Sequence, residues 1–120
     1  MTAEDIRKYC LGKKGKITEG FPFGEDALVF KVNGKVFLLL MIDDRPLSMN
    51  LKCDPVHAIE LRERYEAVRP GYHMNKKHWN TVTLDGSIPP LEIRKMIDHS
   101  YELVVRGLGV TTARKLLSGD

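Results

Sequence analysis

The pair Asn33-Gly34, set between two apolar runs, constrains the fold of this chain more than any other feature. The runs are Ala27–Val32 and Lys35–Met41, and both are rich in residues that favour strands. A type I′ turn requires a positive φ at both central residues, and Asn-Gly is the pair that adopts it most readily. The sequence therefore predicts a β-hairpin. The second run is apolar at both parities, which predicts a central strand covered by helices on at least one face.

Helix signals lie on both sides of this hairpin. Thr2 and Asp5 are typical of an N-cap with an acidic first turn, and apolar residues follow at helical spacing until Gly12. Asp54 precedes Pro55, and proline is well tolerated at the first position of a helix, where its missing N–H costs nothing. The sequence therefore predicts a helix at the N-terminus and a second helix from Asp54 to about residue 67.

The remaining chain adds strands and two more helices. Residues 47–52 predict a third strand, and residues 72–84 contain another. Ser87 or Ile88 is expected to cap a long amphipathic helix opened by two prolines, and residues 111–117 predict a short final helix. The local hairpin in this order of elements predicts an α+β, two-layer fold, in which an antiparallel sheet carries its helices on one face.

Length and composition set the class of protein. The chain has 120 residues, 42% of them hydrophobic, so residues 1–120 are expected to form a single domain with one core. The longest apolar run, residues 36–42, is too short for a membrane span, which needs roughly 18 residues. The acidic start lacks the apolar stretch of a signal peptide, so we expect a cytoplasmic protein with reduced cysteines and no membrane partner. A monomer is the expected state.

Catalytic and metal-binding motifs are absent from the sequence. None of the common phosphate-loop, dinucleotide, zinc-protease or nucleophile-elbow motifs occurs. The spacings Cys53-x3-His57 and His73-x4-His78 match no common zinc motif. Cys10 lies on the apolar stripe of a predicted helix, where a thiol is usually a small core residue. We therefore predict no enzyme activity, no catalytic residue, no metal and no cofactor.

The distribution of charge is more informative than the net charge of +3. Residues 6–18 hold five basic residues and no acid, and residues 67–84 hold three basic residues and no acid. The second stretch mixes point charges for phosphates with amide groups for base edges and an aromatic plane for stacking. This combination indicates nucleic-acid binding. The alternative is a solvated basic loop that leads into a strand whose Trp79 belongs to the core.

Strand parity bears on that alternative. In a regular strand Val82 and Leu84 share one face, while Trp79, Thr81 and Thr83 share the other. The first pair is typical of a core face. Trp79 is therefore predicted to be partly exposed, on the sheet face that a two-layer fold leaves open.

Several segments also resemble one known family, the MmcQ/YjbR family of small bacterial proteins. The matching segments are CL (10–11), FPFGED (21–26), LVFKV (28–32), NLKCDP (50–55), PGYHMNKKHWNTV (70–82), LDGSIP (84–89) and IDHSYELV (97–104). Residues 13–16 depart from the family pattern, since they carry lysines where a proline-containing stretch is expected. The resemblance implies a two-layer α+β fold like that of the frataxin-related CyaY proteins. It also implies a DNA-binding role through a double-wing arrangement of hairpins, with no catalytic residues.

The first functional hypothesis is a DNA-binding module of low sequence specificity. Its basic loop, or wing, would contact the phosphates of a duplex, and nearby residues would approach a groove. The candidate nucleic-acid-binding residues are Lys52, Arg69, His73, Asn75, Lys76, Lys77, His78 and Trp79.

The alternative hypothesis is a binding module of another class. The open sheet face around Tyr72, His73 and Trp79 would bind a small metabolite, a metal or a partner protein. Frataxin-type iron binding needs an acidic ridge, and this chain is net basic. A small ligand or a protein partner therefore ranks above a metal.

Overall fold

A computed structural model describes residues 1–72 and 74–118 of the chain. They form four helices and one six-stranded sheet, in the order α1 (Ala3–Leu11), β1 (Ile17–Gly20), β2 (Ala27–Val32), β3 (Lys35–Met41), β4 (Ser48–Lys52), α2 (Pro55–Arg64), β5 (Val68–Pro70), β6 (Trp79–Thr83), α3 (Pro90–Arg106) and α4 (Val110–Leu117). The strand order across the sheet is β1-β2-β3-β4-β6-β5, and all neighbouring strands are antiparallel. The predicted α+β fold is confirmed.

One hydrophobic core lies between the sheet and the helices. The largest fully buried side chains of the sheet in this core are Phe30, Phe37, Leu38, Leu40, Met49 and Leu51. Ile6 of α1, Ala58 of α2 and Ile97 of α3 meet them from the helix layer, and each is 0% exposed. Helix α4 packs on α3. The opposite face of the sheet therefore carries no helix among the described residues. No described helix is long and apolar enough to cross a membrane.

The predicted hairpin is confirmed in detail. Asn33 has φ 48° and Gly34 has φ 84°, so both central residues have the positive φ of a type I′ turn. The backbone N–H of Lys16 donates to Asn33 Oδ1, and the N–H of Asn33 donates to the Lys16 carbonyl, each over 2.9 Å. These bonds fix the turn to the start of β1, a strand that was not predicted from the sequence.

A β-bulge places two consecutive residues of β3 in the core. Phe30 pairs with Leu38, but the next residue, Lys31, pairs with Val36. Phe37 is therefore an extra residue, and it is buried in the core beside Leu38. Its carbonyl accepts a hydrogen bond from Ser100 Oγ of α3 over 2.6 Å.

The boundaries between α2 and β6 differ from the prediction. Helix α2 ends at Arg64 rather than near residue 67, because Tyr65 is extended (φ −125°, ψ 121°). Residues 68–70 then form the edge strand β5, which was not predicted from the sequence. An edge strand tolerates proline, since its missing N–H can face outward. Residues 71–78 connect β5 to β6, and the strand expected within residues 72–84 is limited to Trp79–Thr83.

The cap of α3 also differs from the prediction. Pro89 occupies the N-cap position, with no side-chain hydrogen bond to the helix. Ser87 instead donates its backbone N–H and its hydroxyl to Asp85 Oδ1, over 2.9 Å and 2.5 Å. The short turn at residues 85–87 therefore uses the serine that the sequence offered as a helix cap.

Candidate nucleic-acid interface and sheet groove

Two hairpin connections lie at the same end of the sheet. The β2–β3 turn lies beyond Val32 and Lys35, which pair with each other. Strand β4 runs in the same direction as β2 and ends at Lys52, which pairs with Trp79, the first residue of β6. The loop of residues 71–78, which joins β5 to β6, therefore lies at this end as well.

This end of the sheet is rich in lysine, and we refer to it as the basic end. Six lysines lie in its turns or at the adjoining strand ends: Lys16, Lys31, Lys35, Lys52, Lys76 and Lys77. Within the described residues, none of the six forms an ion pair with a carboxylate. Their charges are therefore open to an external anion.

The opposite end of the sheet is the acidic end. It holds the β1–β2, β3–β4 and β6–α3 connections, whose carboxylates are Glu25, Asp26, Asp43, Asp44 and Asp85. Arg45 lies among them, but its Nη1 donates to the backbone carbonyls of Ile42 and Asp44, each over 2.7 Å. The charge of the sheet layer is thus separated along the strands.

A tight turn forms the tip of the β5–β6 loop. Asn75 Oδ1 accepts a hydrogen bond from the N–H of Lys77 over 3.0 Å. The N–H groups of His78 and Trp79 both donate to the Asn75 carbonyl. Lys76 and Lys77 are exposed on this turn, so the structure has the basic loop that the sequence led us to expect.

Arg62 of α2 anchors this loop to the helix layer. This arginine was not identified from the sequence. Its Nε donates to Oδ1 of Asn80 over 2.7 Å, and its Nη2 contacts the carbonyls of Lys76 and Trp79. Asn80 is 2% exposed. Strand parity could have identified the pair, because Asn80 shares the core face with Val82 and a buried amide there requires a polar partner.

The structure brings only some of the candidate nucleic-acid-binding residues together. Lys52, Asn75, Lys76 and Lys77 lie together at the basic end, as described above. His78 is half-buried beside them, and its carbonyl accepts from the N–H of Cys53 over 2.8 Å. Arg69 lies further down the sheet and donates from Nη2 to Thr83 Oγ1 over 3.3 Å, so its charge is directed away from the loop. His73 lies outside the described residues.

Two residues of the first basic stretch, Arg7 and Lys13, have protein partners away from the β5–β6 loop. Arg7 of α1 donates from Nε to Glu19 over 2.9 Å. Lys13 bonds Asp98 of α3, and its Nζ lies 4.6 Å from the centre of the Tyr9 ring. These two charges already have protein partners. Arg7 and Lys13 therefore do not share a surface with Lys76 and Lys77, whereas Lys16, at the start of β1, lies at the basic end.

A groove of about 1000 Å³ crosses the open face of the sheet. Its floor and walls include Phe23, Leu39, Met41, Met74 and Trp79. Trp79 is half-buried and shares this face with Thr81, while Val82 lies in the core, so the predicted partial exposure of Trp79 is confirmed.

Polar side chains form the centre of the groove. Asn50 and Thr81 pair across β4 and β6, and they are 5% and 4% exposed. The N–H of Tyr72 donates to Thr81 Oγ1 over 2.9 Å, and this hydroxyl lies 2.6 Å from Asn50 Oδ1. The groove therefore combines apolar walls with a buried polar centre.

Both thiols are buried, and burial disfavours their reactive thiolate form. Burial raises the pKa of Cys10 to about 12 and that of Cys53 to about 11. They are free cysteines, as predicted from the sequence. Across the described ranges, no group of three or more His, Cys, Asp or Glu side chains could hold a metal ion.

These features define a class: a two-layer α+β domain with an open, grooved sheet face and oppositely charged sheet ends. The sequence model of the YjbR family matches residues 11–103. The chain belongs to this family, the MmcQ/YjbR family.

Relatives of similar length support the assignment. The chain is 36% identical to the uncharacterized protein YjbR of Escherichia coli (strain K12) over 118 residues, which cover 98% of each protein. It is 37% identical to the uncharacterized protein YbdF of Escherichia coli O157:H7 over 99 residues, 82% of this chain and 81% of YbdF.

Solved structures show the same fold. The crystal structure of the Deinococcus radiodurans protein DR2400 superposes with a TM-score of 0.88 at 38% identity, covering 98% of this chain and 88% of that one. A crystal structure of a Pseudomonas syringae protein gives a TM-score of 0.73 at 30% identity, covering 86% of this chain and 98% of that one.

Proposed function

We propose that this protein is a nucleic-acid-binding module, not an enzyme, and that its basic end contacts the phosphates of duplex DNA. The observation that carries the proposal is the separation of charge along the sheet. Six lysines without carboxylate partners among the described residues lie at the end where the β2–β3 turn and the β5–β6 loop lie. The carboxylates of the β1–β2, β3–β4 and β6–α3 connections lie at the other end. Such an arrangement attracts a polyanion in one orientation.

The two connections would act as the two wings of the contact. Lys76 and Lys77 are exposed on a turn, so both ammonium groups can reach one duplex, which adjacent residues of a regular strand cannot do. The Arg62 contacts hold this turn in place, which lowers the entropic cost of ordering it on DNA. Lys76 and Lys77 are therefore proposed as the principal phosphate contacts.

We expect low sequence specificity because the two amide side chains near the interface already form hydrogen bonds within the protein. Asn33 and Asn75 lie at the tips of the two connections, and amides can read adenine through paired donor and acceptor groups. Both Oδ1 atoms already accept backbone N–H groups, from Lys16 and Lys77. Each amide oxygen is therefore held by its own turn and is not free to orient toward a base, so contacts to phosphates would dominate the affinity.

The test is the double variant Lys76→Ala/Lys77→Ala, titrated with labelled duplexes at two salt concentrations. We expect affinity to fall roughly two- to thirtyfold, by a similar factor on every duplex. The slope of log affinity against log salt should fall by roughly one unit for each phosphate that the variant no longer neutralises. The melting temperature should change little, because both side chains are exposed.

A matched control removes two lysines from the helix layer. Lys95→Ala/Lys115→Ala makes the same change in net charge on α3 and α4. It should retain the affinity and the salt slope of the natural protein. Equal losses in both double variants would indicate attraction by net charge alone, and unchanged affinity in a folded Lys76→Ala/Lys77→Ala protein would remove the proposed interface.

A further inference from the structure

We infer that the groove on the open sheet face binds a small organic cation, whose apolar or aromatic body lies across the sheet and whose ammonium group meets Asp26 and Asp44. This site goes beyond nucleic-acid binding and uses another surface. Three features carry the inference: the size and walls of the groove, two carboxylates that form no ion pair among the described residues, and an amide donor that opens onto the groove.

The groove has the size and the lining of a small-molecule site. Its volume of about 1000 Å³ is in the range that encloses a drug-sized organic molecule. Leu39 and Met41 of β3 form part of its surface, while Phe23 comes from the β1–β2 connection and Trp79 from the start of β6. Aromatic side chains on both sides of an apolar surface favour a ligand with a flat or apolar body.

Two carboxylates line the groove at its acidic end. Asp26 precedes β2 and Asp44 follows β3, and the N–H of Ile42 donates to the Asp26 carbonyl over 3.1 Å, which holds the two segments side by side. Asp44 Oδ2 accepts a hydrogen bond from Ser48 Oγ over 2.5 Å. Within the described residues, neither carboxylate forms an ion pair with a basic side chain. This end of the groove therefore favours a cationic group.

The buried amide of Asn50 points to a second recognition group on the ligand. Thr81 Oγ1 accepts from the Tyr72 N–H, so its own hydrogen is free to bond Asn50 Oδ1, and a separation of 2.6 Å is typical of an O–H···O bond. The Nδ2 group of Asn50 is then the outward donor.

That donor makes no hydrogen bond among the described residues, although Asn50 is only 5% exposed and lines the groove. No buried side-chain nitrogen or oxygen among the described residues lacks a partner, so this nitrogen is open to the groove and can donate to an acceptor on a ligand. A carbonyl oxygen on the ligand is the matching group. Arg69 also lines the groove, but on β5, at the far side from Asp26, and it bonds Thr83.

Two probes differing in one charge test the inference. Phenylalanyl-phenylalanine amide carries an ammonium group, carbonyl oxygens and two rings, and its N-acetyl derivative keeps the body but is neutral. We expect the free amine to bind about three- to tenfold more tightly than the acetylated probe. Calorimetry gives the affinities, and the Asn50 side-chain amide resonances should shift in NMR spectra when the free amine binds.

Variants at the acidic end then locate the cation. Asp26→Asn/Asp44→Asn should remove the preference for the free amine, whereas Asp85→Asn, which neutralises a carboxylate outside the groove, should retain it. Asp26 and Asp44 are exposed, so the double variant should keep the fold. The Asn50 resonances of the natural protein provide a second test, which needs no variant.

Three results would overturn the inference. The first is equal binding of both probes to the natural protein, which would identify an apolar docking surface without charge recognition. The second is no binding of either probe at about ten millimolar, well above the range expected of a small-molecule site. The third is a concentration-dependent dimer that shifts the groove resonances, which would identify a second copy of the chain as the occupant.

Discussion

The Nε of Arg62 on α2 donates a hydrogen bond to Oδ1 of Asn80 on β6 over 2.7 Å. The same guanidinium contacts the carbonyls of Lys76 and Trp79. One side chain of the helix layer therefore satisfies a buried amide and fixes the loop that carries two of the exposed lysines. The position of the candidate interface depends on a residue that would not itself touch DNA.

Arg62→Ala should lower the free energy of unfolding by about 1–3 kcal/mol, because it leaves the Oδ1 acceptor of Asn80 buried without its donor. Urea unfolding followed by Trp79 fluorescence measures this change. Arg64→Ala is the matched control on the same helix, since Arg64 is exposed and has only a cation–π contact with Tyr65 at 6.0 Å among the contacts described. A cost for Arg62→Ala no larger than that of the control would contradict the role of this contact.

Gly34→Ala should lower the free energy of unfolding by about 1–2 kcal/mol, because an L-residue with a side chain is strained at φ 84°. A Cβ at this position would meet nothing within 4 Å, so the cost is conformational and not steric. Gly20→Ala is the matched control: it also has open space, but its φ is outside the left-handed region. Denaturant unfolding of both variants checks the prediction, and equal stabilities would exclude a conformational cost at Gly34.

The hairpin and the N-caps of α1 and α2 could be predicted from the sequence because their signals are local. Asn33-Gly34 specifies its turn through its own backbone preferences, and Thr2 with Asp5 forms the predicted capping box. The strand β1 was missed because an edge strand of four residues has no clear apolar alternation. Its position is determined by pairing with β2, and pairing between separate segments is not encoded in local spacing.

The candidate site could not be predicted from the sequence, because its residues come together only through the order of the strands. Residues 31–35 and 76–77 are far apart in sequence, and only the order β2-β3-β4-β6 places their lysines at one end of the sheet. The prediction that residues 67–84 carry one basic surface was too simple, because Arg69 lies in β5 and bonds Thr83. The groove was anticipated only as an open face. Its polar centre depends on the register that pairs Asn50 with Thr81.

Cys10 and Cys53 should resist thiol reagents in the native protein. Burial raises their pKa values to about 12 and about 11, so the reactive thiolate is about one part in a thousand or less at pH 8. With Ellman's reagent we expect negligible release of chromophore under native conditions and two equivalents after denaturation. Release of one equivalent from the folded protein, at the rate of an exposed cysteine, would show that one thiol is accessible.

His99 should make the stability fall in mild acid. Its Nε2 accepts the N–H of Asp54 over 3.1 Å, which requires an unprotonated nitrogen. Burial first, and then the nearby His57, lower the pKa of His99 below its ordinary value of 6.5. Glu102 and Asp54 oppose this shift, and Arg106 adds to it. The native state therefore resists a proton that the unfolded chain accepts.

The sign of the pH effect follows from that difference. Well above pH 6.5 His99 is neutral in both the folded and the unfolded state, so it adds no pH dependence there. The free energy of unfolding decreases as the pH falls through 6.5 and on through the lowered pKa of the folded state. His99→Gln cannot titrate, and its Oε1 can still accept the Asp54 N–H, so it should show a smaller decrease. Urea unfolding at about pH 5 and about pH 7.5 compares the natural protein with His99→Gln.

His57→Gln removes the neighbouring charge, so it should raise the pKa of His99. The acid-induced decrease in the free energy of unfolding should then lie between those of the natural protein and His99→Gln. An identical decrease in the natural protein and in His99→Gln would assign the acid sensitivity to other groups.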